Sequence, residues 1–301
     1  MSSTARRQLL VGLATLVGLY VVIFGSAVVN SLRVVVDPTA RTELAGAAMN
    51  WPSRVAAVEW DIFVVVVVLA AALKWLPASA PDIARRMGLA RPSWRQVSGM
   101  LGAAAAYVGV ATGSGWLGDE VVGALHLPNG SYPGAGYGVD GLLADGAASV
   151  AAAVTEEITL VALVVAVIDH GWRLLGRRPR WAAPATIATL LALRWLPHLY
   201  YLWGSMFVLF WIPPVYVLYR WVGSVWPLVV GHAAYDCVLS AEHVYPGLTP
   251  LLDRVLWLLA LVGAVAIGSR AAEYSGQSGS RGRTALTART RPGVRSVDPA
   301  D

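Results

Sequence analysis

Six ionisable residues stand where an apolar chain should carry none. Glu156 and Glu157 are adjacent inside the apolar segment 147–168. Arg194 and His198 are four apart in a second such segment, and His232 and Asp236 are four apart in a third. An acidic residue at the centre of a membrane helix costs roughly 2.5–3.5 kcal/mol, so two in succession need partners or a wet cavity. A carboxylate held beside cations and partly desolvated can act as general base on water. An imidazole can donate to the oxyanion that forms at a scissile carbonyl. A carboxylate one turn from a histidine can fix that ring's tautomer and orientation. Together these groups suit amide hydrolysis without a cofactor. They also suit zinc, because Glu156, His198 and His232 would leave a coordination position for water, although the spacing is not the His-Glu-x-x-His of common zinc proteases. The plainer alternative is a set of polar contacts that only joins helices.

Helix geometry sharpens these expectations. Adjacent helical residues point about 100° apart, so Glu156 and Glu157 are expected to address different partners, one facing a chamber and the other a neighbouring helix. Glu156 shares its face with Ser149, Ala152 and Ala153, small residues that permit close helix approach. Arg194 and His198 share a face, and Pro197 between them removes a backbone donor and should kink or open the helix. Irregular backbone at membrane depth is tolerated mainly where it lines a cavity. Thr159 and Tyr235 read as packing residues. Asp169 and His170, ending the glutamate-bearing segment, read as interfacial and solvated.

The elements that must position these residues are membrane helices. Hydrophobic residues make up 56% of the chain and charged residues 14%, against roughly 25% charged in soluble domains. An all-α polytopic membrane bundle follows. Apolar runs of spanning length lie near 9–30, 55–76, 97–117, 147–168, 182–203, 204–221, 224–244 and 250–268, so about eight transmembrane helices are expected. The first is too long for a typical signal-peptide core and reads as a retained helix. Pro213 and Pro214 interrupt the sixth.

Arginines gather in alternate connections: Arg85, Arg86, Arg91 and Arg95, then Arg173, Arg177, Arg178 and Arg180, then Arg220, then the tail; Arg33, Arg41 and Arg54 in the first connection and Arg254 at the start of the last span run against the pattern. The third connection, 118–146, holds Asp119, Glu120, Asp140 and Asp145 and no lysine or arginine. By the positive-inside rule both termini face the cytoplasm, which an even number of spans requires. The arginines therefore read as a topology signal rather than a nucleic-acid surface, and the lipid bilayer is the expected partner. Turn signals at Asn129-Gly130 and Tyr132-Pro133-Gly134 make the third connection an irregular external loop. Cys237 is the single cysteine, so no intramolecular disulfide forms. Residues 1–268 are expected to form the bundle, with 147–244 as its core. Residues 269–301, mostly Ser, Gly, Thr, Ala and Arg, should be a disordered cytoplasmic tail.

At these residues the chain resembles the CPBP family of intramembrane proteases, the CAAX-protease and bacteriocin-processing (Abi) group. That family's signature is Glu-Glu-x-x-x-Arg, Phe-x-x-x-His and His-x-x-x-Asn or Asp on three helices. Here the three motifs read Glu156-Glu157-Ile158-Thr159-Leu160-Val161, Arg194-Trp195-Leu196-Pro197-His198 and His232-Ala233-Ala234-Tyr235-Asp236. Gly223-Ser224-Val225-Trp226-Pro227-Leu228 and the segment 88–95 also look like stretches common in the family's bacterial members. The resemblance implies an endopeptidase in a bacterial-type cell membrane, acting on a membrane-associated peptide or protein. Glu156 would activate water and His198 and His232 would stabilise the oxyanion, with Glu157, Arg194 and Asp236 supporting. Two positions depart from the signature. Val161 stands where the family has arginine and Arg194 where it has phenylalanine, which suggests a cation relocated to the neighbouring helix. A non-catalytic scaffold or immunity-type protein of the same fold is the alternative.

Overall fold

The computed structural model describes residues 1–37, 51–89, 94–127 and 139–289, and every element among them is helical. In chain order these are α1 (Ser3–Val36), α2 (Trp51–Ser79), α3 (Pro81–Arg86), α4 (Trp94–Ala124), α5 (Val139–Glu156), a π-helical stretch (Glu157–Leu163), α6 (Val164–Leu174), α7 (Ala182–His198), α8 (Phe207–Val222), α9 (Trp226–Val244) and α10 (Thr249–Arg289). Six stretches are long and apolar enough to cross a bilayer: Ser3–Val36, Val55–Ser79, Gly99–Ala124, Gly141–Leu174, Trp203–Val222 and Pro246–Ser269. The chain is an all-α membrane bundle. By this measure six helices qualify among the described residues, not the eight expected. The two that fall short carry the remaining singled-out residues: α7, with Arg194 and His198, is 17 residues long, and α9, with His232 and Asp236, has its hydropathy lowered by polar groups.

α5, the π-helical stretch and α6 follow one another without a break and form the central rod. Inside the bundle 72% of its apolar window is buried, against 6% for α2, so the rod is the core and α2 is the periphery. Burial of the whole π-helical stretch, Glu157 included, means that any charge on it must find its partner inside the protein.

The rod's polar partners arrive on helices drawn in by small residues. A Cβ on Gly263 of α10 would lie 2.3 Å from backbone atoms of Ala106 in α4, and one on Gly231 of α9 would lie 2.7 Å from the Ala104 carbonyl and from Tyr107. The run Gly102-Ala103-Ala104-Ala105-Ala106 thus accepts two neighbouring backbones at once. Tyr107, immediately after that run, is fully buried.

Pro197 ends α7 rather than kinking it. Its missing N–H leaves the Leu193 carbonyl without an in-helix donor. The Tyr20 hydroxyl supplies one at 3.1 Å, and Ser31 donates to the Pro197 carbonyl at 2.8 Å. Two 3₁₀ turns follow, joined by Leu202 at φ 54° and ψ −127°, a region that favours glycine. Ser205 Oγ donates to the Leu202 carbonyl at 2.6 Å and accepts from the Trp195 indole N–H at 2.6 Å, which holds the turn in place.

At the arginine-rich end, Gly88 turns the chain at φ +66°, where a Cβ would meet the Gly223 carbonyl at 2.6 Å. Its carbonyl accepts from Ser224 Oγ at 3.2 Å, and the Trp226 indole donates to the Leu89 carbonyl at 3.3 Å. The two outlying segments of the resemblance therefore dock on each other, although 90–93 lie outside the described residues.

Two expected boundaries shift. α4 reaches Ala124 and α5 starts at Val139, so helix covers both ends of the expected loop; the turn signals at 129–134 lie outside the described residues. α10 continues to Arg289, so 269–289 are helical where composition suggests a disordered tail. No proline occurs between Pro250 and Pro292 to interrupt the hydrogen-bond ladder. Residues 290–301 lie outside the described residues.

Candidate functional site

All six singled-out residues belong to one buried neighbourhood. Its centre is Glu157 Oε1, which accepts three hydrogen bonds: from the Tyr107 hydroxyl at 2.7 Å, from Arg194 Nη1 at 2.9 Å and from His232 Nδ1 at 3.0 Å. Glu157, Arg194 and Tyr107 are fully buried and His232 nearly so. A carboxylate in such a position keeps its charge only because a guanidinium and an imidazole face it directly. The other His232 nitrogen, Nε2, lies 3.2 Å from Asp236 Oδ2. Both ring nitrogens of His232 thus point at carboxylates, which accept hydrogen bonds. The ring stacks on Tyr107 with centroids 5.8 Å apart and meets Trp211 edge-on at 5.3 Å.

Glu156 is placed differently. Its side chain is 13% exposed, and its one ionic contact among the described residues is Arg194 Nη2 at 2.7 Å from Oε2, without a directional hydrogen bond. It is therefore an under-coordinated carboxyl group beside a fixed cation. Both glutamates reach Arg194, contrary to the expectation of separate partners. The guanidinium fork offers Nη1 to one carboxylate and Nη2 to the other, and the backbone passes from α to π geometry at this step. π-helical insertions of this kind recur at functional sites. The cation expected to replace the one missing at Val161 is in contact with both carboxylates.

His198, half-buried at the end of α7, donates through Nδ1 to the Arg194 carbonyl at 2.7 Å. That bond fixes the tautomer and leaves Nε2 as the free acceptor. Phe207 meets the ring edge-on at 5.9 Å, and Tyr200 and Tyr201 stack near it at 6.3 Å. Arg194, one turn earlier, reaches His232 with Nη2 3.3 Å from Nδ1. Arg194 thus contacts both histidines, His198 through its carbonyl and His232 through Nη2.

Two members of this neighbourhood carry no charge and went unnoticed in the sequence. Tyr107 donates to Glu157. The Trp211 ring lies 4.0 Å from Arg194 Cζ, within cation–π range. The only sequence signal for Tyr107 is its position after five small residues; Trp211 has none among the chain's 13 tryptophans. Asp169 and His170 also differ from their solvated reading. His170 is buried, and Asp169 pairs with Arg178 at 3.3 Å and with Arg220.

Zinc does not fit this arrangement. The Arg194 guanidinium occupies the space between Glu156 and His232, and both His232 nitrogens are committed to carboxylates. A metal there would have to displace a buried cation and break the contacts of His232 with both carboxylates.

Comparisons of the chain with protein-family models, with curated proteins and with solved structures find no match.

Proposed function

We propose that this chain is an intramembrane endopeptidase of the CAAX-protease type, in which Glu156 activates water against a peptide bond without a metal. α7 and α9 cross the membrane with the six apolar helices, giving eight spans with both termini in the cytoplasm. The substrate is a membrane-associated peptide or protein that reaches the chamber from the bilayer. One observation carries the reading: of two adjacent carboxylates, Glu157 is sealed from solvent with Oε1 taken by three donors, while Glu156 is partly exposed next to a fixed cation.

The chemistry follows from charge placement. Water approaching the substrate carbonyl gives its proton to Glu156, and negative charge passes from that carboxylate to the new oxyanion. Both positions lie in the field of Arg194, so the transfer needs little reorganisation. His198 Nε2, held ready by the Arg194 carbonyl, relays a proton toward the leaving amine. His232 and Tyr107 hold Glu157, and Glu157 holds Arg194 in register. His232 then positions the cluster rather than donating to the oxyanion, because both its nitrogens are already engaged.

A non-catalytic scaffold is favoured by a different observation: Tyr107, Glu157, Arg194, His232 and Asp236 bond to one another without need of a ligand. Glu156→Gln separates the two readings because it keeps shape and removes the base. Purified protein in nanodiscs is given a quenched peptide pool, with and without a strong chelator. The protease reading expects a fall in turnover of about 10²–10⁴-fold in Glu156→Gln, an unchanged melting profile and no chelator effect. Cleavage by Glu156→Gln at the wild-type rate would overturn it.

A further inference from the structure

Five arginines converge at the basic end of the bundle on a recess that peptide hydrolysis does not use. Arg86 at the end of α3, Arg173 in the last turn of α6, Arg177 and Arg178 in the connection to α7, and Arg220 near the end of α8 line a cavity of about 360 Å³ with Asp169 and Trp172. Asp169 is the one carboxylate in that lining, and both its oxygens are taken, Oδ1 by Arg178 at 3.3 Å and Oδ2 by Arg220. Five guanidinium charges thus face a single carboxylate, a net of four positive charges around one hollow.

Arg173 leans on His170, with Nη2 3.1 Å from Nδ1. The guanidinium groups of Arg86 and Arg177 make no hydrogen bond or ion pair among the described residues. A concave surface with such an excess of one sign concentrates counter-ions, and guanidinium forks pair with the oxygens of a tetrahedral phosphate two at a time. A second observation points the same way. The indole N–H of Trp172, in the same lining, is buried with no acceptor among the described residues, and an indole nitrogen can only donate. Trp172 packs edge-on against Trp181 at 4.8 Å, an aromatic pair of the kind found at headgroup depth.

We propose that this recess binds a phosphate group, carried by an anionic lipid headgroup or by a free phosphate. The phosphate bridges Arg86 and Arg177 and accepts from the Trp172 indole. It thereby joins α3, the end of the rod and the following connection, which otherwise repel one another. The site is independent of the glutamate cluster and of whether that cluster is catalytic.

The test uses the full-length protein in uncharged detergent at fixed ionic strength, titrated in one arm with inorganic phosphate and in another with phosphatidylglycerol against phosphatidylcholine. Tryptophan-monitored melting reports stabilisation, and native mass spectrometry counts retained lipid. Saturable binding is expected, weakened about tenfold or more in Arg86→Gln/Arg177→Gln, since each tenfold is about 1.4 kcal/mol and two charge-assisted contacts are lost. Arg180→Gln, on the same connection but outside the cavity lining, should stay within about twofold of wild type. Saturation by phosphatidylglycerol alone identifies a headgroup site, and saturation by both identifies a general phosphate site. Should the double variant fail to fold, Arg177→Gln alone carries the test, with an expected fall of about threefold. Absence of saturation by either probe, or equal affinity in the variants, would overturn the proposal.

Discussion

Replacing Arg194 by leucine tests whether the buried cluster is the ionic network its geometry implies. Arg194 has no solvent exposure and bridges Glu156 at 2.7 Å and Glu157 at 2.9 Å. Removing one member of a buried ion pair costs about 3–5 kcal/mol, because the partner's charge is left uncompensated. Two features adjust that figure. Glu157 keeps its bonds from Tyr107 and His232, and Glu156 is partly open to water, which puts the electrostatic loss near the lower end. The Trp211 ring 4.0 Å from the guanidinium adds about 1 kcal/mol. The sum is about 4 kcal/mol. Arg194→Lys should lose roughly half of that, since one ammonium cannot span two carboxylates. The assay is reversible unfolding in mixed micelles, followed by tryptophan fluorescence, for Arg194→Leu, Glu157→Gln and the double variant. Removing Glu157's charge after Arg194 has gone should cost far less than removing it alone, giving a coupling of about 2–3 kcal/mol. If Arg194→Leu stays within about 0.5 kcal/mol of wild type and the coupling is near zero, the network is not what holds the cluster, and the relocated cation has no compensating role.

Other substitutions probe the pieces around it. Tyr107→Phe removes a 2.7 Å bond to a buried carboxylate and should cost about 1.5–3 kcal/mol in the same unfolding assay. Gly263→Ala forces a Cβ to within 2.3 Å of the Ala106 backbone and should destabilise by about 1–3 kcal/mol. Gly113→Ala, with nothing within 4 Å, should instead stabilise α4 by about 0.5–1 kcal/mol. Equal melting temperatures for the two alanine variants would refute the close-crossing account. Leu202→Gly relieves the positive-φ backbone and should raise stability by about 1 kcal/mol; a fall of that size would show that the leucine side chain matters more than the strain.

Much of this was legible because charge in an apolar chain is conspicuous. The six residues could be picked out one by one, and the i, i+4 relation of His232 and Asp236 survives as a 3.2 Å contact. The sharing of Arg194 was not legible. The 100° rule describes where side chains leave an α-helix, but not how far a long forked cation reaches or that the backbone turns π-helical at Glu157. Tyr107 was invisible for another reason: an uncharged aromatic raises no alarm, and its role depends on Gly231 and Gly263 bringing α9 and α10 against α4, which no local pattern encodes. Six rather than eight helices stand out by length and apolarity among the described residues for a related cause. α7 is 17 residues long, short for a span, and the charged residues singled out on α9 lower its hydropathy.

The asymmetry between the two glutamates is what turns a polar contact into a site that could do chemistry. A network that satisfies every member is rigid but inert, since no lone pair remains to take a proton. A carboxylate with no support in the same surroundings would give up its charge rather than hold it. Here the adjacent positions divide the work: Glu157 spends Oε1 on three donors and so fixes Arg194, and Arg194 lends its charge to Glu156 without filling that residue's open side. On the proposed reading, exchanging the glutamates' surroundings would leave composition and net charge untouched and yet remove the base. Stability should therefore track Glu157 and turnover should track Glu156, a separation that a uniformly structural cluster has no reason to show.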